Sequence, residues 1–196
     1  MNNPSLVFLA KSFYNAYIAL EQIHCTCENP TNYLVPTIVN GAFSIEITLK
    51  AILTENQIKY EKDHNLVILF QLLPDSFQLE LLNHLVEKAP EYKDTKKFVE
   101  EFLLISNAFA DWRYVFEGKP APALDIRFLS AFANAAIWTM FSHYNVQIVE
   151  SPETEKTDDE IEEMFQQNRE TCKNANILEI QKKMKKLHLE TGGENT

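Results

Sequence analysis

Two stretches of this chain set charged side chains inside strongly apolar helical sequence: Ser44-Ile45-Glu46-Ile47-Thr48-Leu49-Lys50, and Asp111-Trp112-Arg113-Tyr114-Val115-Phe116-Glu117. A buried charge without a partner costs several kcal/mol, so these groups either neutralise one another or line a functional site. Glu46 and Lys50 stand at i, i+4 with the acid first, the order that favours a helical ion pair. Arg113 and Glu117 repeat the spacing, and Asn107 and Asp111 share another helical line. Arg113 follows Trp112 directly and so projects at the edge of the apolar stripe. Its planar fork of donors suits a carboxylate or a phosphate equally.

Histidine is the other residue type able to move protons near neutrality. His64 lies between Asp63 and Asn65, where a helix cap is expected, and His143 falls near the end of a late helix. His24 has Cys25 and Cys27 beside it, but a one-residue gap between the cysteines is short for zinc and no fourth ligand is evident. No phosphate loop, zinc-helix motif, paired-carboxylate array or nucleophile motif is present. Neither a metal nor a cofactor is expected.

Helices must position these groups. Pro4-Ser5 opens one that runs to about Cys27, with Leu6, Leu9, Phe13, Tyr17 and Leu20 recurring at three or four residues. A second starts near Pro36 and runs to about Asn56. Asp63-His64-Asn65 caps a third, and Pro74-Asp75-Ser76 restarts another through Val86. Asp94 caps a long fifth helix whose stripe is Phe98, Phe102, Ile105, Phe109, Trp112 and Phe116, ended by Gly118-Lys119-Pro120. The last core helix spans about Ala123 to Val146. These elements predict an all-α, antiparallel bundle of about five helices over residues 1–150. A polar linker from Ser151 and a short amphipathic helix (Ile177, Ile180, Met184, Leu187) make up residues 151–196. The lysines at 182, 183, 185 and 186 flank that helix as a solvated face.

Composition agrees. The chain has 196 residues, four Gly and thirteen Phe, with 45% hydrophobic and 23% charged residues, as in ordinary globular proteins. Its net charge of -10 opposes broad, sequence-independent binding to a polyanion, while leaving room for a small basic site. Residues 151–196 carry eleven acids against seven bases. Three cysteines make no disulfide framework, and neither a leader nor a run of eighteen apolar residues is seen. A cytoplasmic protein without membrane association is expected.

The run Ala42-Phe43-Ser44-Ile45-Glu46-Ile47-Thr48-Leu49-Lys50-Ala51-Ile52-Leu53, then His64-Asn65-Leu66, then Arg113-Tyr114, resembles the HEPN family in order and spacing over residues 36–117. The family comprises helical domains of prokaryotic toxin, defence and RNA-processing systems. The resemblance implies a bundle that dimerises. In active members the dimer pairs two copies of an Arg, four to six residues, His motif for metal-independent RNA cleavage. There the histidine and arginine aid attack by the 2′-hydroxyl and hold the scissile phosphate. Arg113 fits the arginine position, but Gly118, Lys119 and Pro120 stand where the histidine belongs.

Three expectations follow. The first is a dimeric binding or regulatory component of a defence or toxin-antitoxin type system, contacting RNA or nucleotide phosphate. Its polar cleft would lie between the second and fifth helices, Glu46 and Lys50 facing Arg113 with Asp111 and Tyr114 nearby. The second is an endoribonuclease in which His64 or His143 substitutes for the missing histidine, making Arg113, His64 and His143 the candidate catalytic residues. The third is a scaffold that binds a protein partner through residues 160–190.

Overall fold

Ser5 begins α1 (Leu6–Thr26), its hydroxyl accepting the Phe8 N–H. α2 (Thr31–Glu55) returns beside it, as the Phe13–Phe43 ring pair and the Tyr17–Gly41 approach show the two to be antiparallel. The computed structural model describes residues 5–26, 29, 31–61, 63–117, 123–144 and 179–186. Within them lie five further α-helices: α3 (Leu66–Leu72), α4 (Asp75–Lys88), α5 (Thr95–Ile105), α6 (Ala108–Arg113) and α7 (Ile126–His143). Two 3-10 turns, Pro90–Lys93 and Val115–Glu117, and a helical stretch over 179–186 complete the described chain, which contains no strand.

The fold is an all-α bundle, as composition and periodicity predict. Its directions are legible from side-chain pairs. Tyr14 bonds Asn134 while Tyr17, further along α1, meets Ser130, earlier on α7, and Phe77 at the start of α4 meets His143 at the end of α7. So α7 runs antiparallel to both α1 and α4. Gly41 faces Leu129 and Asn56 bonds Tyr144, so α2 and α7 run the same way. Phe70, Phe98, Phe102, Phe128 and Phe132 are all fully buried, with neighbouring ring centroids 4.7 to 6.5 Å apart. Each ring contributes about 2–3 kcal/mol of burial, and together they clamp α3, α5 and α7.

Three boundaries differ from the sequence reading. α2 begins five residues before Pro36. The proline sits in its second turn and forfeits only one backbone bond, a loss that the buried apolar length of α2 offsets. The long fifth helix is broken: α5 ends at Ile105 and α6 begins at Ala108. Ser106 turns its hydroxyl back on the Leu103 carbonyl while Asn107 leaves helical geometry (φ -114°, ψ 12°). The break frees the Ser106 carbonyl to accept the Leu66 N–H at 2.9 Å. The stripe periodicity could not reveal this long-range use of one carbonyl. Finally, α7 starts at Ile126, capped by Asp125.

The C-terminus of α2 turns the chain toward the site. Gln57 adopts a left-handed φ of 58°, with Ile58 N–H on the Leu53 carbonyl at 2.8 Å and Gln57 N–H on Thr54 at 3.0 Å. That is a Schellman stop with glutamine where glycine is usual. Asn65 then caps α3, its Oδ1 accepting from Val67 and Ile68. Asp63 in turn accepts the Asn65 N–H at 2.9 Å.

α2 is long and apolar enough to cross a membrane, but 67% of its apolar window is buried inside the bundle. Ile180 and Met184 of the 179–186 stretch are also buried. Their companions in the predicted amphipathic helix, Ile177 and Leu187, lie outside the described residues, as does the linker.

Candidate functional site

Glu46 is the centre of the site. It faces inward from the middle of α2 and is only 1% exposed. Lys50, one turn on, donates to its Oε1 at 2.6 Å, as the i, i+4 spacing predicts. Lys50 also rests over the Tyr60 ring, 5.9 Å from its centroid.

A second donor reaches the same carboxylate from outside α2. His64 Nδ1 lies 2.9 and 3.1 Å from the two oxygens of Glu46. An ionised carboxylate only accepts hydrogen bonds, so Nδ1 carries the proton. In the neutral ring Nε2 then holds a lone pair, on a side chain that is 51% exposed. A buried carboxylate orienting a half-exposed imidazole is the arrangement of a general acid or base. The residue expected as part of a helix cap therefore sits just ahead of the cap, which Asn65 supplies.

Arg113 is brought to the same edge through an aromatic bridge. Phe109 stacks on Phe43 (centroids 4.5 Å, planes 21° apart), and the His64 ring lies 5.5 Å from Phe109. The Arg113 guanidinium carbon sits 4.7 Å from the Phe109 centroid and 4.5 Å from that of Tyr114. Its Nη2 donates to the Tyr114 hydroxyl at 2.6 Å. Imidazole and guanidinium thus flank one ring. Arg113 is exposed, and no ion pair joins it to Glu46 or Glu117 among the described residues. Among the described contacts Glu46 and Lys50 do not meet Arg113 directly; Phe109, touching Phe43, His64 and Arg113, links the two sides. Asp111 lies exposed on the outer side of α6, and Tyr114 is 39% exposed beside the arginine.

His143 belongs to a different cluster. Its Nε2 lies 2.6 Å from Glu80 Oε2, Ser142 also donates to Glu80, and His84 Nε2 is 3.6 Å from the other oxygen. Burial alone would raise the Glu80 pKa. The nearby His84, the bonds from Ser142 and His143, and the charge on His143 outweigh it and hold the carboxyl at about 2. This cluster ties α4 to the end of α7, and its described contacts do not include Arg113. Among the described residues no group of three or more His, Cys, Asp or Glu has metal-holding geometry. Cys25 is exposed, and Cys27 and Cys172 lie outside the described residues.

Phe43 and Phe109 carry the site together but read in the sequence only as core. The available signal was spacing: Phe43, Glu46 and Lys50 fall on one line of α2, and Phe109 stands one turn before Arg113. No family model matches this chain, and no curated protein or solved structure is significantly similar to it.

Proposed function

We propose that this chain is a HEPN-like helical component of a bacterial defence or toxin-antitoxin type system, and that it binds RNA or nucleotide phosphate at Arg113. The proposal has it acting as a cytoplasmic homodimer. The observation that carries the binding reading is the state of Arg113. It is exposed, free of a carboxylate partner among the described residues, and lies over the Phe109 and Tyr114 rings while Nη2 bonds the Tyr114 hydroxyl. A guanidinium fixed in this way loses little freedom when a phosphate takes its remaining donors. In a chain of net charge -10 it offers a local anion site rather than a basic face. Lysine at this position would supply the charge but neither the stack nor the fork.

A second reading rests on Glu46 and His64. His64 Nε2 is placed to accept the proton of an RNA 2′-hydroxyl as that oxygen attacks the neighbouring phosphorus. The P–O5′ bond then breaks to leave a 2′,3′-cyclic phosphate, and the departing oxygen takes up a proton from the protonated imidazole or water. Arg113 would stabilise the charge gathering on the phosphoryl oxygens.

One experiment separates the readings. Wild type, Arg113→Ala and His64→Gln are incubated with structured and single-stranded RNA in EDTA, and both binding and cleavage are followed. Binding lost in Arg113→Ala and retained in His64→Gln, without cleavage, supports the binding component. Cleavage lost in both variants supports the ribonuclease. Binding indifferent to Arg113 overturns the assignment of the site.

A further inference from the structure

We infer that residues 179–186 act as an intramolecular latch that positions His64 by holding α3. The inference rests on the reading of His64 as a site residue. α3 has seven residues, roughly two turns, too short to hold its place by helix propensity alone. It is fixed from both ends by distant parts of the chain. At its N-terminus the Leu66 N–H binds the Ser106 carbonyl at 2.9 Å, and the Asn65 side-chain amide donates to Asn107 Oδ1 at 3.2 Å. At its C-terminus Gln71 Nε2 donates to the Met184 carbonyl at 2.5 Å. Gln78 Nε2 reaches the Gln71 and Leu73 carbonyls at 3.2 and 2.8 Å.

Among the described residues, few groups secure the 179–186 stretch. Ile180 and Met184 are buried against the bundle. Gln181 donates to the Asp75 carbonyl at 3.3 Å, and Lys185 Nζ lies 2.8 Å from both Asp75 oxygens. Lys182, Lys183 and Lys186 remain exposed. The helix that begins two residues after His64 therefore ends on a segment whose attachments, among the described residues, are two apolar side chains, the Gln71 and Gln181 hydrogen bonds and an exposed ion pair. Elements held by so few contacts open before the rest of a fold does. When this one opens, α3 keeps its buried Leu69 and Phe70 and the Gln78 bonds but loses the Gln71–Met184 bond at its C-terminal turn, and the loop that carries His64 to Glu46 is held less tightly.

The test uses the full chain, without RNA. Imidazole resonances are followed by NMR, with His64 assigned by its absence in His64→Gln, and amide exchange is measured in parallel. Met184→Asp should shift the His64 ring resonances and speed exchange of the α3 amides at least tenfold. His24, on α1, should stay where it is. A peptide of residues 177–188 added in trans should reverse both changes. Should Met184→Asp unfold the chain, Lys185→Glu gives the same reading by opposing two acids, with Asp75→Lys as its rescue.

Loss of protection over 179–186 with His64 and α3 unchanged overturns the latch. The RNA reading fails separately, since a His64 that follows the latch in a protein indifferent to RNA would leave the latch standing alone.

Discussion

Replacing Glu46 by leucine sets an apolar side chain in its place and removes the charge that Lys50 and His64 share. Breaking a buried pair costs about 3–5 kcal/mol, because the remaining charge has lost its counterpart. Two features place this case at the lower end. His64 is half exposed and rehydrates, and Lys50, 13% exposed, keeps the Tyr60 ring beneath it. Glu46→Leu should therefore destabilise by about 3 kcal/mol, a fall of roughly 6–12 °C in Tm for a chain of this size. Adding Lys50→Met removes the stranded ammonium, and the double variant should return to within about 1 kcal/mol of wild type. Urea denaturation read by far-UV circular dichroism gives the three values, with equal m-values as the check on a common unfolded state. A loss below about 1 kcal/mol for the single variant would show that the carboxylate is not sequestered. A double variant as unstable as the single would refute mutual compensation by Glu46 and Lys50.

Glu80 should make stability depend on acidity. Its carboxyl titrates at about 2 in the fold against an ordinary 4.5, so its contribution is complete above about 4.5 and disappears as pH falls toward 2. Allowing for solvent screening of this partly exposed group, the loss is about 1–2 kcal/mol, and Glu80→Gln should flatten the stability curve across that window. Gly41→Ala would set a Cβ 2.9 Å from the Tyr17 ring and 3.0 Å from Leu129. Tyr17 is fully buried and anchored through its hydroxyl to Glu21, so the crowding should outweigh the gain in helix propensity and lower stability by about 1–2 kcal/mol in thermal melts. Gln57→Gly relieves the left-handed residue that ends α2 and should raise stability by about 0.5–1 kcal/mol by the same measurement.

Local signals located much of the fold. Helix starts at Ser5, Asn65 and Asp94 each use a side chain to cap the first turn, and such caps are written in two or three adjacent residues; Asp125 caps α7 beyond the start near Ala123 that the sequence reading predicts. The Glu46–Lys50 pair was legible for the same reason, being one helical turn long. The breaks and bridges were not. Nothing near Ser106 announces that its carbonyl is needed by Leu66, forty positions earlier. Nor does the sequence around His64 say that its ring reaches Glu46 across an interhelical space, since helical periodicity carries no information about which helices meet. Phe109 shows the ambiguity most sharply. An aromatic on an apolar stripe reads as core, and whether its ring also supports an arginine depends on the break that rotates α6 away from α5.

The antiparallel α1–α2 pair bears on the order in which the site assembles. These are the two longest helices among the described residues and they adjoin in sequence, so their contact is local, of the kind that topology lets form early. Until the segments bearing His64 and Phe109 arrive, Lys50 is the one described partner that Glu46 has within α1 and α2, and the carboxylate is less desolvated than in the finished fold. The rest of the penalty falls on a later event, when those segments close over it. The charge is thus a brake on the final docking step rather than on collapse. The leucine and methionine pair that restores stability should also hasten that step, so the acidic centre of the site exacts its cost in folding speed as well as in free energy.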